Sequence, residues 1–156
     1  FNVNLSIVKS VIKSNENRKH ILTKRIKEIL SNKIKGKTIS LLGVTFKPNT
    51  DDMRESSSLV MVPYLLKHGG KINYYDPSGK KSDFNKYKNI SYCSDIKKAC
   101  FKSDLIIIHT EWEEFKALDF KKLIKKKNFK IYDLRNLYST KEMKKKGLNY
   151  YSIGRL

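Results

Sequence analysis

Apolar residues recur at three- and four-residue steps near the start of the chain, at Leu5, Val8, Ile12, Leu22, Ile26 and Ile29. That period predicts one long helix over residues 4–31. Polar Asn15 and Lys19 interrupt the stripe on the same face. Such a helix packs on a neighbour, and in a coiled-coil seam a buried Asn would fix register. Gly36 breaks this period. Beyond it, β-rich runs at Thr38–Val44, Lys71–Tyr75, Asp104–Thr110, Lys130–Leu134 and Asn149–Ile153 alternate with helical stretches. The predicted helices are Ser57–His68, Ser94–Phe101, Phe120–Lys126 and Thr140–Lys146. Alternation of this kind predicts an α/β fold, a Rossmann-like and mostly parallel sheet flanked by helices. Right-handed crossovers then place every strand-to-helix loop on the carboxyl edge of the sheet, where ligands of such folds bind. Gly69-Gly70 supplies a helix stop before the second strand.

Composition narrows the classes. A chain of 156 residues is long enough for one domain with a real core. Its mean hydropathy is −0.56, and no apolar stretch approaches the ~20 residues of a membrane span, so no membrane partner is expected. The net charge of +19 raises nucleic acid as a partner. The lysines argue against it, because they are spread throughout and do not interleave with aromatics in a stacking pattern. They read as a Lys-rich surface that attracts anionic ligands at low salt. Cys93 and Cys100 are separated by six residues, with no Cys-x-x-Cys and no paired His to make a metal set. They read as reduced structural thiols of a cytoplasmic protein. The chain begins at Phe1, and we expect it to be a piece of a longer protein.

Candidate chemistry gathers in three predicted carboxyl-edge loops. The first, Thr45-Phe-Lys-Pro-Asn-Thr-Asp-Asp-Met-Arg-Glu-Ser56, holds two unlike cations. Lys47 is a compact point charge, whereas Arg54 is a planar fork suited to phosphate or carboxylate. Asp51 and Asp52 would orient these cations or cap a helix. The second loop, His109-Thr-Glu-Trp-Glu-Glu-Phe115, offers Glu111 as a partner for a loop cation. Its His109 reads as structural, and Trp112 reads as core. The third begins at Arg135, placed either to meet phosphate or to pair with Asp133. No Gly-x-Gly-x-x-Gly follows a strand, so a nucleotide here must be held by side chains and irregular backbone. Without that fingerprint, Tyr75-Asp76-Pro77 reads as a strand-ending turn.

Gly43-Val-Thr-Phe-Lys-Pro-Asn-Thr-Asp-Asp-Met-Arg-Glu-Ser56 resembles the signature that opens the C-terminal, UDP-binding domain of the UDP-glucose 6-dehydrogenase family. Tyr74-Tyr-Asp-Pro77, His109-Thr-Glu-Trp-Glu-Glu-Phe115 and Ile131-Tyr-Asp-Leu-Arg135 resemble later family segments in the same order. The resemblance implies that residues 1–35 end the central, dimer-forming helical domain and that 36–156 form the UDP-binding α/β domain. It implies UDP-sugar contacts from Phe46, Lys47 and Arg135, and a contact from Arg54 to NAD held mainly by a missing N-terminal domain. Asn136 departs from the basic or small residue usual after that arginine. Family members oxidise the sugar C6 alcohol to a carboxylate in two NAD-dependent steps through thiohemiacetal and thioester intermediates on a cysteine. That cysteine lies in a Gly-rich segment absent here, so no catalytic residue is expected in this chain, which alone would be inactive. The alternatives are a sister dehydrogenase for UDP-N-acetylmannosamine or GDP-mannose, or a stand-alone nucleotide-binding module.

Overall fold

The structure, a computed structural model, describes residues 5–154. A 24-residue helix, α1 (Ser6–Ile29), leads into six strands and four further helices. The strands are β1 (Thr38–Leu42), β2 (Lys71–Tyr75), β3 (Ile90–Tyr92), β4 (Leu105–Ile108), β5 (Lys130–Asp133) and β6 (Asn149–Ser152). The helices between them are α2 (Ser58–Lys67), α3 (Ile96–Cys100), α4 (Phe120–Leu123) and α5 (Thr140–Lys145). Single 3₁₀ turns stand at Ser82–Phe84 and Glu113–Phe115.

The sheet order is β3-β2-β1-β4-β5-β6, and all five strand pairs are parallel. The chain runs outward from β1 to β3, then crosses back to β4 and runs out the other way. That reversal between β1 and β4 opens a crevice at their carboxyl ends, the usual ligand position in doubly wound sheets.

β4 explains the layering. Leu105, Ile106, Ile107 and Ile108 are all fully buried, as a central parallel strand requires. Alternation sends Leu105 and Ile107 into one core with Ile26 and Ile29 of α1 and Met61, Val62 and Leu65 of α2. Ile106 and Ile108 enter the other core, with Cys100 of α3, Phe120 of α4 and Met143 of α5. Only the last turns of α1 are embedded this way. Its earlier apolar residues stay in solvent, with Ile7 79% and Ile12 58% exposed.

Two glycines are fixed by geometry. Gly43 ends β1 at φ +76°, and a Cβ there would lie 2.6 Å from Thr110 Cβ. Gly69, at φ +80°, stops α2, with Gly69 N–H on the Leu66 carbonyl and Gly70 N–H on that of Leu65.

Two differences from the sequence reading have simple causes. Strand β3 is absent from the predicted elements, because a three-residue edge strand carries too little alternation to register. The Ser94–Phe101 and Phe120–Lys126 helices are shorter than expected, Ile96–Cys100 and Phe120–Leu123, because Asp95 caps the first late and Ile124 is extended at the end of the second. Asn4, the first residue of the predicted long helix, lies outside the described residues.

Candidate functional site

The loop after β1 is folded onto itself before it reaches solvent. Asp76, fully buried at the end of β2, accepts from the backbone N–H groups of Val44 at 2.7 Å and Thr45 at 3.3 Å. It also accepts from the N–H of Ser78 at 3.0 Å, which makes it the anchor of the strand-ending turn. Farther along, Phe46 N–H donates to the Asp52 carbonyl at 2.9 Å. Ser56 and Ser58 both donate to the Val44 carbonyl, at 2.7 and 2.6 Å. Buried Met53 pins the middle of the loop, so its neighbours Phe46, Lys47 and Arg54 stay on the surface.

Phe46, Lys47 and Arg135 converge on one cavity of about 490 Å³ at the carboxyl ends of β1, β4 and β5. His109, Glu111 and Ser57 complete this part of its wall. The Arg135 guanidinium is held by backbone: its Nε donates to the His109 carbonyl at 2.8 Å and an Nη to the Phe46 carbonyl at 3.2 Å. Glu111 Oε2 lies 2.8 Å from the same Nε as an ion contact. The expected alternative pairing of Arg135 with Asp133 takes another form. Asp133 is fully buried and accepts from the backbone N–H groups of Arg135 and Leu137 and from the Tyr150 hydroxyl. It shapes the loop and leaves the guanidinium to the crevice. Asn136, at φ +55°, then ties the loop to Ile153 through both ends of its amide.

Arg54 stands outside this group. Its side chain is 90% exposed and grips Asp52 with two hydrogen bonds of 3.0 and 2.9 Å. Those bonds hold the Asp52 carboxyl down at about 2. Asp52 is thus the orienting partner of an exposed cation. Asp51 is exposed.

His109 is buried, with Nε2 2.8 Å from Ser57 Oγ and Nδ1 3.0 Å from Thr110 Oγ1. Burial, followed by the nearby Arg135 charge, lowers its pKa to about 3, so it is neutral at physiological pH. Burial raises the Cys100 thiol to about 12 and also raises Cys93, which leaves both protonated and poor nucleophiles. Among the described residues no group of three or more His, Cys, Asp or Glu could hold a metal ion. Nor is any described helix long and apolar enough to cross a membrane.

One wall was not foreseen. Asn15, Arg18, Lys19 and Leu22 of α1 line the crevice, and Arg18 also lines an adjoining cavity with Arg135. Lys19 is clamped at 2.7 Å by both Glu16 and Glu55, which joins α1 to the loop beside Arg54. The signal was present as the polar interruption of the apolar stripe at Asn15 and Lys19, which marks where the helix leaves the core and borders the crevice.

Residues 40–140 match the model of the UDP-glucose/GDP-mannose dehydrogenase family, UDP binding domain. A UDP-glucose 6-dehydrogenase of Rhizobium meliloti is 38% identical over 152 residues, which span 96% of this chain and 34% of that protein. One from Rickettsia bellii is 36% identical over 155 residues, 97% of this chain and 36% of the relative. Among solved structures, a UDP-glucose dehydrogenase from Pyrobaculum islandicum superposes with a TM-score of 0.76 at 25% identity, covering 94% of this chain and 32% of that one. The chain therefore spans about a third of the length of the curated relatives it matches. With the family model covering most of the chain and the fold superposing on that of a solved relative, the protein belongs to the UDP-glucose/GDP-mannose dehydrogenase family and carries its UDP binding domain.

Proposed function

We propose that this chain grips the nucleotide sugar within an NAD-dependent UDP-glucose 6-dehydrogenase that converts UDP-glucose to UDP-glucuronate. The observation that carries this reading is the convergence of Phe46, Lys47 and Arg135 on one crevice at the strand-order reversal. Lys47 and Arg135 supply positive charge for a diphosphate, and Phe46, half-exposed, offers a flat apolar wall. Contacts of this kind, remote from the reacting carbon, hold it in place for chemistry done elsewhere.

NAD would take hydride from the sugar alcohol. The first turn of this sheet does not fit that cofactor. The Val44 and Thr45 N–H groups that would face a pyrophosphate are occupied by Asp76, and the space above Gly43 is filled by Thr110. Arg54 does fit one contact to a phosphate of NAD held by another domain, because it is paired with Asp52, 90% exposed and not among the residues lining the crevice. On this reading the chain contains no catalytic residue and is inactive alone.

Residues 1–35 then belong to a central helical domain and 36–156 to the UDP-binding domain. The exposed apolar residues Ile7, Val8, Val11 and Ile12 of α1 support pairing of two copies through this helix in a cytoplasmic homodimer. Titration calorimetry of this chain with UDP-glucose tests the reading. Micromolar-to-millimolar binding that weakens in Lys47→Ala and Arg135→Ala is expected. Unchanged affinity in both variants would remove the crevice from the binding site.

A further inference from the structure

The crevice holds acceptors as well as cations, and counting protons shows which groups they are. Thr110 Oγ1 donates to the Thr45 carbonyl at 2.8 Å, because a carbonyl only accepts. Its single proton is thereby committed. The 3.0 Å contact between Thr110 Oγ1 and His109 Nδ1 must then be made by an Nδ1–H. A neutral imidazole protonated at Nδ1 has a bare Nε2. That Nε2 lies 2.8 Å from Ser57 Oγ, so Ser57 is the donor. Ser57 sits at the N-cap of α2, yet its side chain does not cap the helix. Its proton points at His109, and its lone pairs are left for the crevice that it lines.

Glu111 reaches the same condition by another route. The one proton on Arg135 Nε goes to the His109 carbonyl. Glu111 Oε2, though 2.8 Å from that nitrogen, is buried with no hydrogen-bond partner. Oε2 is closed off against the guanidinium, so the oxygen open to a ligand is Oε1, which carries no hydrogen bond on a side chain that is 36% exposed and borders both cavities. The two backbone carbonyls already hold Arg135, so Glu111 is not needed to fix the guanidinium.

We propose that Ser57 and Glu111 form a hydroxyl-reading subsite beside the Lys47 and Arg135 cations, in which two oriented acceptors take hydrogen bonds from ribose or hexose hydroxyl groups of a nucleotide sugar. The subsite rests on the nucleotide-sugar reading above and divides the crevice into a phosphate side and a polyol side. Ionised phosphate has no proton to offer and is repelled by Glu111. A hydroxyl satisfies both acceptors. His109 is the positioning residue that keeps the Ser57 proton out of the crevice.

The test uses the purified 156-residue protein at pH 8 with four probes: UDP-glucose, UDP, 2′,3′-dideoxy-UDP and inorganic pyrophosphate. Ser57→Ala and Glu111→Gln should each weaken UDP-glucose by roughly three- to tenfold, the size of one or two lost hydrogen bonds. Pyrophosphate should bind unchanged to Ser57→Ala and equally or more tightly to Glu111→Gln. Loss shared with UDP assigns the hydroxyls to ribose, and loss confined to UDP-glucose assigns them to the hexose. Equal weakening of pyrophosphate would overturn the subsite, as would equal weakening of dideoxy-UDP, which would make the uracil imide the donor. Unaltered UDP-glucose binding in both variants would also overturn it while leaving the nucleotide-sugar reading intact. If the wild type binds UDP-glucose no better than pyrophosphate, the nucleotide-sugar reading itself falls. The imidazole ¹⁵N shifts of His109 give a check free of any variant: an Nε2–H tautomer would contradict the acceptor role of Ser57.

Discussion

At the amino edge of the sheet, Asp104 is surrounded. It accepts from the Thr38 N–H at 3.0 Å and from the ammonium groups of Lys37 at 3.1 Å and Lys126 at 2.6 Å. Nearby, Lys130 donates to the Ile29 carbonyl and ties the end of α1 to β5. At the carboxyl edge, Arg135 makes two bonds to carbonyls and still lines two cavities, while Glu111 beside it turns one oxygen to the guanidinium and leaves the other without a hydrogen bond. Both edges carry basic side chains and a carboxylate. A charge whose partners are complete holds the fold together, whereas one with donors or acceptors left over is available to a ligand. In a chain of net charge +19, that accounting locates a site better than charge density does.

The largest expected effect breaks the amino edge alone. Asp104→Ala leaves two lysines and an N–H without their acceptor and should cost about 2–3 kcal/mol of stability by denaturant unfolding. UDP-glucose affinity in that variant should stay at the wild-type value, and a parallel loss of binding would contradict the separation of the two edges. The reciprocal change is Arg135→Ala. It should weaken UDP-glucose by about 1–3 kcal/mol while lowering stability by less than 1 kcal/mol or so, read from calorimetry and melting on one sample.

Acid separates the edges next. Burial depresses the His109 pKa to about 3 from an ordinary 6.5, so the unfolded chain binds its proton first. Its contribution to stability is complete above about pH 6.5 and declines as pH falls toward 3. Asp104 acts lower. Burial alone would raise its pKa, but hydrogen bonds from Lys126, the Thr38 N–H and Lys37 outweigh burial and lower it beneath 3.8. Its contribution is therefore lost only below about pH 4. His109→Gln should flatten the stability profile between pH 6.5 and 4, and Asp104→Ala should flatten it only below 4. Identical profiles for the two variants would refute the assignment.

The smallest effect concerns Arg54. It does not line the crevice, so Arg54→Ala should change UDP-glucose affinity by less than about twofold. In the complete enzyme the same variant should raise the apparent KM for NAD more than that for the nucleotide sugar. The opposite order would sink the cofactor contact.

The strands were legible where they were apolar and long enough. Leu105-Ile-Ile-Ile108 announces a strand buried on both faces, and Ile131-Tyr-Asp133 announces its neighbour. The end strand Ile90–Tyr92 gives no such notice, because three residues, none of them buried, carry no period. Of the site, Phe46, Lys47 and Arg135 stood out through residue chemistry and family resemblance. Ser57 was hidden as the first residue of a predicted helix, and Arg18 as one more cation along another.

The sequence by itself determined the alternation of strand and helix, the absence of a glycine-rich dinucleotide turn, and the loops that hold the cations. These are local properties, set by side-chain period and by the chemistry of neighbouring residues. Tertiary structure decided that β1 and β4 lie side by side, and so which loops share a crevice. It decided that α1 would wall that crevice, that Arg135 would rest on the carbonyls of His109 and Phe46, and that Ser57 would meet His109 Nε2. Each of those contacts joins residues 26 to 89 positions apart. No local pattern encodes such a pairing; the packing of both cores against one twisted sheet brings the partners together.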